Sequence, residues 1–111
     1  MKHLLAIIML TGALSLQAAE ISGSVVSAIG GETLIGANVI VADESNNIYK
    51  GSVVGLDGTY SVKDLQPGIY KVSADFVYMS TSNVVIEIDD SEDEFQVNFK
   101  LAPEPEVIKI K

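Results

Sequence analysis

Leu56-Asp57-Gly58-Thr59-Tyr60-Ser61-Val62-Lys63-Asp64-Leu65-Gln66-Pro67-Gly68-Ile69-Tyr70-Lys71-Val72-Ser73-Ala74-Asp75-Phe76 decides the fold class. Tyr60 and Val62 alternate with Ser61 and Lys63, and Tyr70, Val72, Ala74 and Phe76 alternate with Lys71, Ser73 and Asp75. Period-two alternation places apolar side chains on one face of a strand and polar ones on the other. Asp57-Gly58 reads as a tight hairpin turn, because glycine takes positive φ at little cost. Gln66-Pro67-Gly68 reads as a second turn, with φ fixed at Pro67 and freed at Gly68.

The same pattern runs outward in both directions. Ile21, Gly23 and Val25 share a face upstream, as do Ala37, Val39 and Val41, although Ile40 on the opposite face is also apolar. Ile48 to Val54 is less regular, since Lys50 and Ser52 interrupt it. Downstream come Val84, Ile86 and Ile88, then Phe95, Val97, Phe99 and Leu101 against Gln96, Asn98 and Lys100. Gly30-Gly31, Asp43 to Asn47 and the acidic run Asp89 to Glu94 punctuate these strands. About seven short strands with turn signals between them, and no helical period, predict an all-β antiparallel sandwich.

Composition narrows the chemistry. The chain has 111 residues, no cysteine and one histidine, His3, so thiol chemistry and cysteine metal sites are excluded. Its formal net charge is -8, which argues against a nucleic-acid partner. Residues 1–19 read as a secretory signal: Lys2, the apolar run Leu4 to Leu10, then small residues ending at Ala18 or Ala19. That run is shorter than the ~20 apolar residues of a membrane span, so no transmembrane segment is expected in the mature chain. The expected domains are therefore the signal over 1–19, a sandwich over 20–101 and an extended tail over 102–111.

Three segments carry a resemblance. Ile21-Ser22-Gly23-Ser24-Val25 with Leu34-Ile35-Gly36-Ala37-Asn38-Val39, then Gly55 to Val62, then Leu65-Gln66-Pro67-Gly68-Ile69-Tyr70-Lys71-Val72 together resemble the carboxypeptidase regulatory-like domains. The likeness covers residues 20 to 101 and implies a seven-stranded transthyretin-like, immunoglobulin-like sandwich. Such domains accompany carboxypeptidases, precede the plugs of TonB-dependent receptors in the Bacteroidetes, and occur as small exported proteins. The resemblance carries over no catalytic residue and no cofactor. Phe76-Val77-Tyr78-Met79 departs from the glycine–tyrosine pair that many receptor-linked relatives have there.

Candidate chemistry is correspondingly thin. The runs at Asp43-Glu44 and Asp89 to Glu94 lack the spacing of a calcium-binding EF-hand loop and read as solvated turns. Asp57 lies in the order D-G-T, not the D-T-G of an aspartic protease. Transthyretin-like hydrolases of purine breakdown use histidines, which residues 20–111 lack, and an internal isopeptide bond would want a lysine within residues 20–27, where there is none. The expected role is a non-catalytic accessory domain, periplasmic or at the cell surface, with a protein partner in the envelope. The alternative is a glycan-binding module of starch-binding-like fold, for which Tyr49 and Tyr78 are the aromatic candidates. Past the stiff Ala102-Pro103-Glu104-Pro105-Glu106, the segment Val107-Ile108-Lys109-Ile110-Lys111 is a candidate docking strand, with Val107, Ile108 and Ile110 as its apolar contacts. Pairing with its own domain, or fraying, is the plainer expectation for it.

Overall fold

The computed structural model describes residues 18–45, 47–105, 108 and 110. Most of the expected signal, residues 1–17, and the tail residue Val107 lie outside them. The described chain is two packed sheets built from eight strands: β1 (Ala19–Ser27), β2 (Asn38–Asp43), β3 (Ile48–Val53), β4 (Thr59–Leu65), β5 (Gly68–Asp75), β6 (Ser82–Ile88), β7 (Glu94–Gln96) and β8 (Phe99–Leu101). One sheet runs β4-β1-β7, with β8 also on β1; the other runs β3-β2-β5-β6.

The alternation places the core where expected. Ile21, Val25, Val39, Val41, Val54, Leu65, Val72 and Leu101 are fully buried between the layers, with Tyr60, Tyr70 and Phe99 closing around them. No disulfide contributes, so burial of these side chains drives folding, each worth roughly 1.5–3 kcal/mol.

Three features differ from the expectation. The predicted last strand is broken in two, giving eight strands rather than seven. Both halves pair parallel to β1, in register Ser22↔Gln96 and Val25↔Phe99, within an otherwise antiparallel sandwich. At the break the Val97 carbonyl swings inward over Gly23, where an added Cβ would lie 1.9 Å from that oxygen. The Tyr60 hydroxyl donates to the same carbonyl at 2.6 Å, and Asn98 Oδ1 takes up the Ser24 N–H at 2.9 Å. A buried tyrosine and an asparagine thus satisfy the groups that the ladder loses.

The third difference concerns the turns. Asp57-Gly58 is a tight turn, with the Gly58 N–H donating to the Gly55 carbonyl at 2.9 Å, but it joins β3 to β4 across the two sheets and makes no hairpin. Gln66-Pro67 and Asp89 to Asp93 cross between sheets in the same way. The hairpin signal is a statement about φ at glycine, and a sandwich corner needs the same φ. Only Asp43 to Asn47 and Phe76 to Thr81 join neighbouring antiparallel strands.

The irregularity of Ile48–Val54 also has a cause. Val41 faces Lys50 while Ala42 faces Ile48, so Tyr49 is the extra residue of a β-bulge. A second extra residue sits in β4 beside Asp64, whose φ is 62°. Lys50 reaches across from β3 and its Nζ donates to the Lys63 carbonyl at 2.5 Å, closing the sandwich on that side.

Candidate interaction surface

The strand directions put the loops into two groups. The β1–β2 loop, the β3–β4 turn and the β5–β6 loop gather at the end where β1 finishes, and β8 ends there too. The β2–β3, β4–β5 and β6–β7 connections gather at the other end, beside Ala19.

The first end is apolar at its tips. Leu56 is 90% exposed, Tyr78 80%, Ile29 67% and Val77 62%, with Ile35 and Val53 also exposed. Each tip has a local reason. In the β3–β4 turn, Asp57 accepts from the Thr59 N–H and hydroxyl, at 3.0 and 2.9 Å, and these bonds hold its carboxyl below the usual range. Gly58, at φ 85°, packs on Thr33 of the β1–β2 loop, so Leu56 is pushed to the apex. In the β5–β6 loop, Phe76 and Met79 pack on the core and the Met79 N–H donates to the Phe76 carbonyl at 3.0 Å. The two residues between them, Val77 and Tyr78, are left outside. Tyr78 takes φ 63°, a left-handed conformation that a glycine would adopt freely and a tyrosine pays for. The chain after β8 borders this loop: Ser80 N–H donates to Ala102 O at 2.8 Å, and Glu104 N–H to Tyr78 O at 3.0 Å.

The opposite end is acidic. Asp43, Glu44, Asp64 and the run Asp89 to Glu94 collect there with Glu20. Asp43 caps its own turn, accepting from the N–H groups of Ser45 and Asn47 at 3.1 Å each. Asp89 accepts from the Ser91 hydroxyl and N–H, and these bonds lower its carboxyl pKa. Both acids build turns, and among the described residues no three His, Cys, Asp or Glu side chains converge as a metal site would require.

The two aromatic candidates do not form one platform. Tyr49 is 43% exposed and its ring lies 5.8 Å from that of Tyr70, near the acidic end. Tyr78 stands beyond the far end of β5, roughly 17 Å of strand away. Of the tail candidates, Ile108 and Ile110 are exposed, and Val107 is outside the described residues. Ile29, Ile35 and Leu56 were not legible as surface residues by periodicity, because each lies in a turn or loop outside the alternating strands. Their signal is position: in Gly55-Leu56-Asp57-Gly58 the turn formers on either side leave Leu56 no strand face to point along.

A shallow hollow of about 460 Å³ lies on the outer face of the β1 sheet, lined by hydroxyl and amide groups of Ser22, Ser24, Thr59, Ser61, Gln96 and Asn98. Glu20, its one carboxylate, accepts from the Ser61 hydroxyl at 2.6 Å. Among the described residues no helix is long and apolar enough to cross a membrane.

The two packed sheets and their connections define a transthyretin-like β-sandwich. More particularly, the chain belongs to the carboxypeptidase regulatory-like domain family, whose model matches residues 20–102. By sequence, no curated protein matches it. Among solved structures it is similar to BcpA, the major pilin subunit of Bacillus cereus, at 9% identity and a TM-score of 0.68, covering 79% of this chain and 31% of the pilin. It is also similar to a DUF3823 family protein from Parabacteroides merdae (19% identity, TM-score 0.60, 80% of this chain and 48% of that one). The 5-hydroxyisourate hydrolase of Klebsiella pneumoniae matches at 18% identity and a TM-score of 0.59, over 77% of this chain and 85% of the enzyme. The chain thus spans under a third of the pilin and about half of the Parabacteroides protein. These likenesses concern the fold.

Proposed function

We propose that this chain is an exported, non-catalytic accessory domain of the bacterial cell envelope that binds a protein partner through its apolar loop end. The observation that carries the reading is the segregation of exposed side chains. Leu56, Tyr78, Ile29 and Val77 project from loops at one end, and the acidic run Asp89 to Glu94 lies at the other with Glu20, Asp43, Glu44 and Asp64. Clustered exposed apolar residues with an aromatic among them are what a protein interface requires. Tyr78 is held out in a conformation that costs a non-glycine residue energy, a feature that recurs at functional sites.

The secretory-signal pattern that ends at Ala18 or Ala19 supports export to the periplasm or cell surface. The pilin and Parabacteroides likenesses fit a surface or envelope setting. The non-catalytic reading is supported by chemistry as well as kinship: residues 20–111 lack histidine and cysteine. The test is affinity capture from envelope extract with the wild-type chain and a Leu56→Ser/Tyr78→Ser variant. A discrete protein held by the first and lost by the second is expected. Equal capture by both would remove the loop end from recognition.

A further inference from the structure

The two outer edges of the β3-β2-β5-β6 sheet are treated differently. A sheet edge is a row of unpaired backbone donors and acceptors, and proteins usually protect it with bulges, charges or a covering segment. The β3 edge has the Tyr49 bulge and the Lys50 bridge to β4. The β6 edge has neither. Its sequence, Ser82-Asn83-Val84-Val85-Ile86-Glu87-Ile88, holds one charge and no proline. Val84 points inward with Ile86 and Ile88, yet is 38% exposed, while its partner Val72 on β5 is fully buried. The inward face of β6 is thus partly exposed at Val84 and Ile86, while Ile88 is buried.

The chain carries a segment of matching pattern. In Val107-Ile108-Lys109-Ile110-Lys111 the alternation gives an extended strand one face with Ile108 and Ile110 and another with Lys109 and Lys111. Ile108 and Ile110 are 74% and 90% exposed. Their two-residue spacing equals that of Val84 and Ile86. The two lysines stand out on an acidic chain, and β6 carries Glu87 and runs into Asp89 and Asp90.

The tail is led away from its own β6. Ala102 to Glu104 run antiparallel to Tyr78 to Ser80, with Met79 bridged to Pro103, so the chain travels from the Ser80 side, next to β6, towards Tyr78. Pro105 then stiffens the exit. We infer that the acceptor is a second copy: residues 107–111 of one chain add as a strand to the β6 edge of another, with Ile108 and Ile110 covering Val84 and Ile86. Donor and acceptor are different surfaces, so the association is head-to-tail and builds open chains rather than closed dimers. It is weak, because a five-residue strand buries little area. This goes beyond the loop-end reading and uses other residues.

Sedimentation velocity on residues 19–111, from low micromolar to near-millimolar concentration, tests it with two variants. One is Ile108→Lys/Ile110→Lys, at exposed positions that leave the sandwich intact. The other is Val84→Lys, an inward charge at the edge, with circular dichroism to confirm its fold. The wild type is expected to at least double its average mass over that range, each variant alone to stay monomeric, and an equimolar mixture of the two to form dimers and go no further. A wild type monomeric throughout, or a tail variant that associates like the wild type, would overturn the inference. A wild type that stays monomeric throughout yet still captures its partner through Leu56 would refute this inference and leave the proposed function standing.

Discussion

Among the described glycines, Gly23 faces the closest obstacle. The Val97 carbonyl occupies the space of its missing side chain, 1.9 Å from where a Cβ would sit, and that obstacle is backbone. Gly23→Ala must therefore push β7 and β8 off β1. Overpacking of this kind costs ~1–3 kcal/mol, and for a domain of this size each kcal/mol lowers Tm by roughly 4–8 °C; thermal unfolding followed by circular dichroism measures it. Tyr60→Phe removes the 2.6 Å bond to the same carbonyl and is expected to cost about 1 kcal/mol. Burial also pushes the Tyr60 hydroxyl up to about 12 from its ordinary 10.0. The unfolded chain loses this proton first, so stability is complete below pH 10 and falls as pH rises towards 12. Denaturant titrations across that window are expected to fall less steeply for Tyr60→Phe than for the wild type. Ala19 gives a further residue-scale prediction. It is buried, opens β1 and pairs with Leu65, so we expect the signal to be cut after Ala18, leaving Ala19 as the mature N-terminus. Mass spectrometry of the exported protein that found Glu20 first would contradict this.

At the scale of elements, the alternation of Ile21, Val25, Val39, Val41, Tyr60, Val62, Tyr70 and Val72 made the strands and the core readable in the sequence. Which strand lies beside which was not. Asp57-Gly58 announces a turn, but whether the chain then folds back within a sheet or crosses to the other depends on the packing of the whole sandwich. The break between β7 and β8 was hidden for a related reason: Phe95, Val97, Phe99 and Leu101 keep perfect alternation through it, and the register offset to β1 is the same on both sides. The interruption is set by Gly23 and Tyr60, distant in sequence. Asn98 substitutes for the lost ladder at that point through Ser24. Asn98→Ala leaves this N–H without its partner and is expected to cost ~1 kcal/mol, with faster hydrogen exchange at Ser24 than at Val26. Equal protection at both amides would show that the side chain does not carry the pairing.

For the whole molecule, the decisive property is polarity from end to end. Tyr78 was legible as a candidate because an aromatic between two strands has no core face to join. Tyr49 looked equivalent, and a bulge turns it towards Tyr70 at the acidic end instead. The apolar tips Leu56 and Ile29 carry no periodic signal and become a surface only when three loops from distant parts of the chain meet. The acidic loops lie a length of β5 away, well beyond the ~8 Å over which charge acts at physiological ionic strength, but Asp57 beside Leu56, with Glu32, Asp75 and Glu104 at the same end, rims the apolar tips with negative charge. The most direct measurement is site-specific photo-crosslinking in living cells, with the reactive residue placed at Leu56, at Tyr78 or, as the control, at Glu44. Crosslinks from Leu56 and Tyr78 to one discrete envelope protein, with none from Glu44, are the predicted result. Crosslinks from Glu44 with none from Leu56 or Tyr78 would contradict it and place recognition at the acidic end.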